Sequence, residues 1–238
     1  MHVLPFPCAP GITTCVRRAG PTLEGRMRSE VGAVAGTATD GRVQRGNETR
    51  RAVLGRAVEV ASVEGLGALS IGRLATDLGL SKSGVFAAFG SKEELQLSTV
   101  RAARRIFYDV VIAPHEQEAP GLSKLRALCA SWVGYARDRV FPGGCFFQSV
   151  SAEFNTQPGP IRDALAEAAR DWEGLLIDLV RAARAAGELT PAAEPEQLAF
   201  LLVAAMETAN AQSLLLDEPA RFDRAAAVID RTLTAFAS

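Results

Sequence analysis

Three serines each open a helix within one short stretch of this chain, and their spacing constrains the fold more than any other feature. The stretch is Ser70 to Leu95, SIGRLATDLGLSKSGVFAAFGSKEEL. Ser70 can cap a helix from Ile71 to Leu78, closed by Gly79 in the left-handed conformation that glycine tolerates. Ser81 can cap a second helix from Lys82 to about Phe89, closed by Gly90. Ser91 opens a longer one, with Glu94 three residues on as in a capping box. Ala75 is small where the second helix must approach the first. Leu74, Leu78, Leu80, Val85 and Phe89 are apolar where the helices must pack. The pattern is a helix-turn-helix, in which the second helix is built to enter the DNA major groove.

The rest of the chain reads as helix almost without interruption from Asn47, which can cap a helix to about Glu64 with the stripe Leu54, Ala57, Val58 and Ala61. The Ser91 helix carries Leu95, Ala103, Ile106, Phe107 and Val110 inward and ends before Pro114. Further helices are expected from about Leu122 to Val140, Gly144 to Asn155, Pro160 to Ala186, Pro195 to Leu216, and from Pro219 to the end. Proline in the first turn and glycine past the end is the asymmetry helices favour. No segment alternates with period two, and no repeat recurs at solenoid spacing. The expected class is all-α.

Composition and charge remove several alternatives. With 48% hydrophobic and 22% charged residues in 238, the chain is neither fibrous nor wholly disordered. Its net charge of −1 rules out a polycation that coats nucleic acid. The charge is uneven: residues 1–95 hold 12 basic and 9 acidic side chains, residues 96–238 hold 14 and 18. An anionic partner would therefore meet the N-terminal part. The four cysteines form no CxxC pair, the two histidines have no second ligand at metal spacing, and neither a metal nor another cofactor is expected. The most apolar run, Leu198 to Met206, is nine residues, against the ~20 of a membrane span. Pro5, Pro7 and Pro10 interrupt any signal-peptide core, so a cytoplasmic protein with reduced thiols is expected. Residues 1–44 read as a disordered arm, and Met27 within it offers an alternative start.

With its flanks, the motif resembles the N-terminal domain of tetracycline-repressor (TetR) family transcription regulators. The helix before it and Phe89-Gly90-Ser91-Lys92-Glu93-Glu94-Leu95 after it carry the resemblance, over roughly residues 47–97. It implies a three-helix DNA-binding domain, here residues 45–93, followed by a helical ligand-binding and dimerisation domain, residues 94–238. It also implies a regulator rather than an enzyme, with double-stranded DNA as partner. Ser81, Lys82 and Ser83 are then expected at bases or phosphates. Ser70 and Arg73 would meet the DNA backbone, and Lys92 matches the family's phosphate-clamping lysine. Phe86-Ala87-Ala88 stands where the family often has Tyr followed by Tyr or His: Phe86 lacks the hydroxyl, and Ala87 and Ala88 offer methyl contacts suited to thymine, so fewer base hydrogen bonds are expected.

The C-terminal helices suggest the remaining partners. Leu198–Leu216 is apolar on most of its circumference, which suits a helix packed on its own domain and on a second copy. The last two helices are thus the expected homodimer interface, matching a palindromic operator. A small-molecule effector would lie among Phe107, Trp132, Phe146, Phe147, Phe154, Trp172 and Met206, with Glu207 and Asn210 as polar anchors. Two alternatives remain open. Cys145, at an expected helix N-terminus, would make a thiol-based sensor or nucleophile. A helix-turn-helix that has lost DNA would make an interaction module.

Overall fold

The computed structural model describes residues 41–238. Nine α-helices make up these residues: α1 (Gly41–Glu64), α2 (Ile71–Asp77), α3 (Lys82–Phe89), α4 (Lys92–Phe107), α5 (Leu122–Arg137), α6 (Phe146–Phe154), α7 (Pro160–Ala185), α8 (Pro195–Leu215) and α9 (Ala220–Ala235). Among the described residues the sole β pairing is one antiparallel bridge, Leu189 to Ala237, which ties the C-terminus to the α7–α8 loop.

α1 begins at Gly41, six residues ahead of the expected cap at Asn47. Asn47 is an exposed interior residue. Gln44 donates from Nε2 to Glu48 Oε1 at 3.4 Å, one turn on, which extends the helix backwards. Residues 41–44 of the expected arm are therefore helical; the rest of it, with Met27, lies outside the described residues.

α1, α2 and α3 pack around Val53, Ala57, Leu74, Ala75, Val85 and Phe89, all buried. α4 runs without a break past residue 93, resting on α1 at one end and on α7 further along. It ends in a π-helical turn, Tyr108–Ile112, and a 3-10 turn, Ala113–His115. The extra residue per π turn shifts the register. Val110, expected inward, is 38% exposed, while Val111 and Ile112 are fully buried. α9 is regular throughout and buries Phe222, Ala225, Ile229 and Leu233.

α5 to α9 form the second layer, and α6 joins the two parts by packing against α1 and the Leu66–Ala68 turn as well as α7. By length and composition α8 is apolar enough to cross a membrane, which the nine-residue run understates. In the fold it lies along α5, α7 and α9 and buries Leu198, Leu202, Met206 and Asn210, the pattern of a core helix.

Candidate nucleic-acid interface and cavity

The helix-turn-helix is held by its caps. Ser70 Oγ accepts from the Arg73 amide at 3.1 Å, Ser81 Oγ from Gly84 at 3.1 Å, and Ser91 Oγ from Glu94 at 3.0 Å. Gly79 (φ 64°) and Gly90 (φ 74°) take the left-handed turns that end α2 and α3. The reciprocal half of the capping box is replaced: the Glu94 carboxylate turns along α4 to Ser98 and Arg101.

α3 is two-faced. Val85 and Phe89 are buried, while Lys82, Ser83, Phe86 and Ala87 are exposed along the opposite side. Phe86 is 55% exposed, so it is surface and not core. The Arg50 guanidinium lies 4.5 Å over the Phe89 ring and donates to the Ala88 carbonyl, which anchors the back of α3 to α1.

The neighbouring cations differ in what they already hold. Arg73 donates to both oxygens of Glu64 at 2.5 and 2.6 Å. Its hydrogen bonds hold the Glu64 carboxyl below the usual carboxylate range. A phosphate would have to compete with Glu64 for this residue. Lys92 donates from Nζ to the Gly67 carbonyl at 2.7 Å. Arg56 is spent on Asp77 and Glu59 at 2.9 and 3.1 Å. Lys82 is exposed at the first residue of α3, its stem passing 3.4 Å from where a Cβ on Gly72 would stand.

In the second layer a cavity of about 170 Å³ opens between α4, α5, α6, α7 and α8. Phe107, Trp132, Phe147, Trp172, Met206 and Glu207 line it. Phe146, Phe154 and Asn210, also expected there, do not. Phe146 is fully buried, its ring against Phe141 and Phe147. Asn210 faces the α6 entry, accepting from the Cys145 amide at 3.0 Å and donating to Gln148. Sequence reasoning missed Arg104, whose partner Asp171 lies 67 positions away on α7, at 2.6 Å. No local spacing announces such a pair. A wider groove of about 390 Å³ runs between α5 and α9, with Arg126 and Arg137 on its rim.

Two cysteine and histidine readings change. Cys145 does stand at the N-cap of α6, yet burial pushes its thiol up to about 11. Desolvation outweighs the amides of Phe147 and Gln148 and the Tyr135 hydroxyl, which pull the other way. A readily formed thiolate at Cys145 is thereby disfavoured. His115, one of the two histidines without a metal partner in sequence, lies 2.7 Å from both Glu118 Oε1 and Ser131 Oγ. None of the three lines either cavity. Ser131 is also inside α5, where backbone N–H groups are used by the helix and offer no oxyanion donor.

α6 connects the cavity to the helix-turn-helix at both ends. At its entry, Gly143 donates to Ser62 Oγ at 3.1 Å, and a side chain at Gly143 would overlap the Ser62 carbonyl. At its far end, Glu153 Oε1 accepts from the Gly67 amide at 2.7 Å, on the same residue whose carbonyl holds Lys92. Glu153 Oε2 is buried with no hydrogen-bond partner. Between them, Gln148 donates to the Glu207 carbonyl at 2.7 Å.

Comparison with known proteins agrees with this architecture. Residues 53–98 match the family model "Bacterial regulatory proteins, tetR family", and residues 121–229 match "Tetracyclin repressor-like, C-terminal domain". No curated protein matches the chain. Among solved structures, a TetR transcriptional regulator from Chloroflexus aurantiacus is 23% identical with a TM-score of 0.75, covering 82% of this chain and 98% of that one. A TetR family regulator from Cytophaga hutchinsonii is 19% identical with a TM-score of 0.71, over 81% and 96%. A transcriptional regulator from Saccharomonospora viridis, solved in complex with choline, is 21% identical with a TM-score of 0.67, over 79% and 96%.

Proposed function

Because the chain belongs to the tetracycline-repressor family of DNA-binding transcription regulators, we propose that it is a cytoplasmic homodimeric repressor, released from a palindromic operator by a small molecule. The observation that carries the reading is α3, with Lys82, Ser83, Phe86 and Ala87 exposed on one side and Val85 and Phe89 buried on the other. Lys82 and Ser83 reach bases or phosphates, and Phe86 and Ala87 meet thymine methyl groups. Ser70 and Ser81 add hydroxyls beside the backbone, Lys92 swings from Gly67 to a phosphate, and Arg73 stays with Glu64 or exchanges it for one.

A two-fold site needs two such helices ~34–36 Å apart. α8 supplies an apolar surface for a second copy, with Phe200 65% exposed, Leu201 53% and Leu215 83%, beside Val228 of α9. The division of labour follows: residues 45–93 bind DNA, residues 94–238 sense and dimerise, and α4 belongs to both.

Release is a change in the population of two arrangements. A ligand among Phe107, Trp132, Phe147 and Trp172 presses on α6, whose ends hold Ser62 and Gly67. Movement of α6 alters the seat of the helix-turn-helix and the position of Lys92. A relative of this fold holds choline, which supports a ligand-binding role for the helical domain.

Fluorescence polarisation against DNA from upstream of its own gene, at two salt concentrations, tests the DNA reading. Sequence-preferring binding that weakens with salt is expected, and its absence overturns the proposal. The exposed Phe86 also suits an interaction module. Lys82→Ala and Lys92→Ala separate the two: both reduce DNA affinity in a regulator, and neither alters partner binding in a module.

A further inference from the structure

Four aromatic side chains from four helices wall the α4–α8 cavity: Phe107 (α4), Trp132 (α5), Phe147 (α6) and Trp172 (α7). Phe107 is the hub, its ring 5.3 Å from Trp172 and 5.8 Å from Phe147, each nearly perpendicular. Perpendicular rings present faces as well as edges to the space between them, and a ring face carries the negative end of the quadrupole.

The cavity lining carries one cation and one carboxylate, and the two differ in what they already hold. Arg104 is the cation in the lining, and it is closed off by Asp171 at 2.6 Å, with Glu167 at 3.9 Å. An anionic ligand would have to break a buried ion pair to use it. Glu207 lines the opening from α8 and remains partly in water, with Glu173 of α7 close enough to repel it. Burial and that repulsion raise the Glu207 pKa, the signature of a carboxylate short of a counter-ion. With Arg104 held by Asp171, Glu207 is the charged lining residue that forms no ion pair among the described residues.

We infer that the cavity takes a small organic cation, an aryl- or alkylammonium whose charge lies against the aromatic walls and faces Glu207. The inference rests on the reading of the C-terminal helices as the effector domain and adds the chemical class of the effector. At about 170 Å³ the space suits a compact ligand. An engineered apolar cavity of roughly 150 Å³ holds benzene.

The chain has two tryptophans, and both line this cavity, so its whole indole emission reports on the site. The full-length protein is titrated with benzyltrimethylammonium, with its neutral isostere neopentylbenzene, and with benzenesulfonate. Emission and calorimetry are followed. The cation is expected to bind at least tenfold tighter than the neutral isostere, and the sulfonate more weakly than either. Glu207→Gln is expected to cost the cation about tenfold and leave neopentylbenzene unchanged, with circular dichroism confirming the fold. Glu173→Gln, one step further out, costs the cation about twofold. The inference is overturned if the isostere matches the cation, if the sulfonate binds tightest, if no probe binds, or if Glu207→Gln leaves the cation unaffected. Polarisation on operator DNA separates this from the wider reading. Binding of the isostere alone with DNA release keeps an effector domain and removes the cation. Cation binding without DNA release keeps the ligand class and removes the release mechanism.

Discussion

The exposed face of α3 and the exposed face of α8 both leave large apolar side chains in water, and the difference between them lies in their company. Phe86 is flanked by Lys82 and Ser83, so its partner must accept cations and hydroxyls along with a ring. Phe200, Leu201 and Leu215 lie on one side of α8 with Ala204 and Ala211 between them, and the polar exposed residues among them are Glu207 and Thr208, so their partner must offer a mainly apolar surface. An isolated ring among polar groups suits DNA, whereas several large apolar side chains on one face suit another protein chain. Exposure alone identifies neither.

The largest expected effect breaks the α8 side. Phe200→Glu with Leu201→Glu puts two carboxylates on this face and should yield a monomer by light scattering. DNA affinity should then fall at least a hundredfold, because each half-site is held alone. A dimer that persists would place the interface elsewhere.

On the α3 side, Lys82→Ala and Phe86→Ala should both leave the dimer intact. Each is expected to weaken DNA by about tenfold, within the ~1–3 kcal/mol of a good base contact. They differ in salt dependence. If Lys82 holds a phosphate, its loss lowers the slope of log affinity against log salt by about 0.9, while Phe86→Ala leaves the slope alone. Equal slopes would return Lys82 to the base edge.

A residue belonging to neither face sharpens the contrast. Gly143→Ala drives a methyl group into the Ser62 carbonyl, a backbone atom that cannot rotate away. Overpacking of this kind costs ~1–3 kcal/mol, or several degrees in Tm. Calorimetry should show the loss with dimerisation preserved. The smallest effect is expected at Cys145. Its thiol, pushed up to about 11, stays protonated at pH 8, so iodoacetamide should label the Cys145 peptide far more slowly in native than in denatured protein. Rapid native labelling would restore the thiol-sensor alternative.

The helix-turn-helix was legible because its determinants are local. A cap, a left-handed glycine and an i, i+4 pair declare themselves within ten residues, and all three serine caps form. The second layer was legible as a succession of helices, where proline starts and the absence of period-two alternation are enough. What was hidden depends on distance in the chain or on register. The π turn after Phe107 moved Val110 outward with no proline or glycine to announce it. The Arg104–Asp171 and Gly67–Glu153 contacts join residues more than sixty positions apart. Aromatic residues could be named as cavity candidates from the sequence, but Phe146 and Phe107 look alike there. Only packing sends one ring into the core and the other to the lining.

Gly67 has no side chain, yet its peptide groups face both halves of the molecule: its N–H points to Glu153 and its C=O to Lys92. This makes it a built-in spectroscopic probe. An amide proton held by a carboxylate is shifted downfield and exchanges slowly with solvent while the contact lasts. In a sample carrying ¹⁵N only at glycine, its resonance would be one among 21. A single peak could then be watched for the loosening of α6 as compounds are added, with neither the operator nor the natural effector in hand.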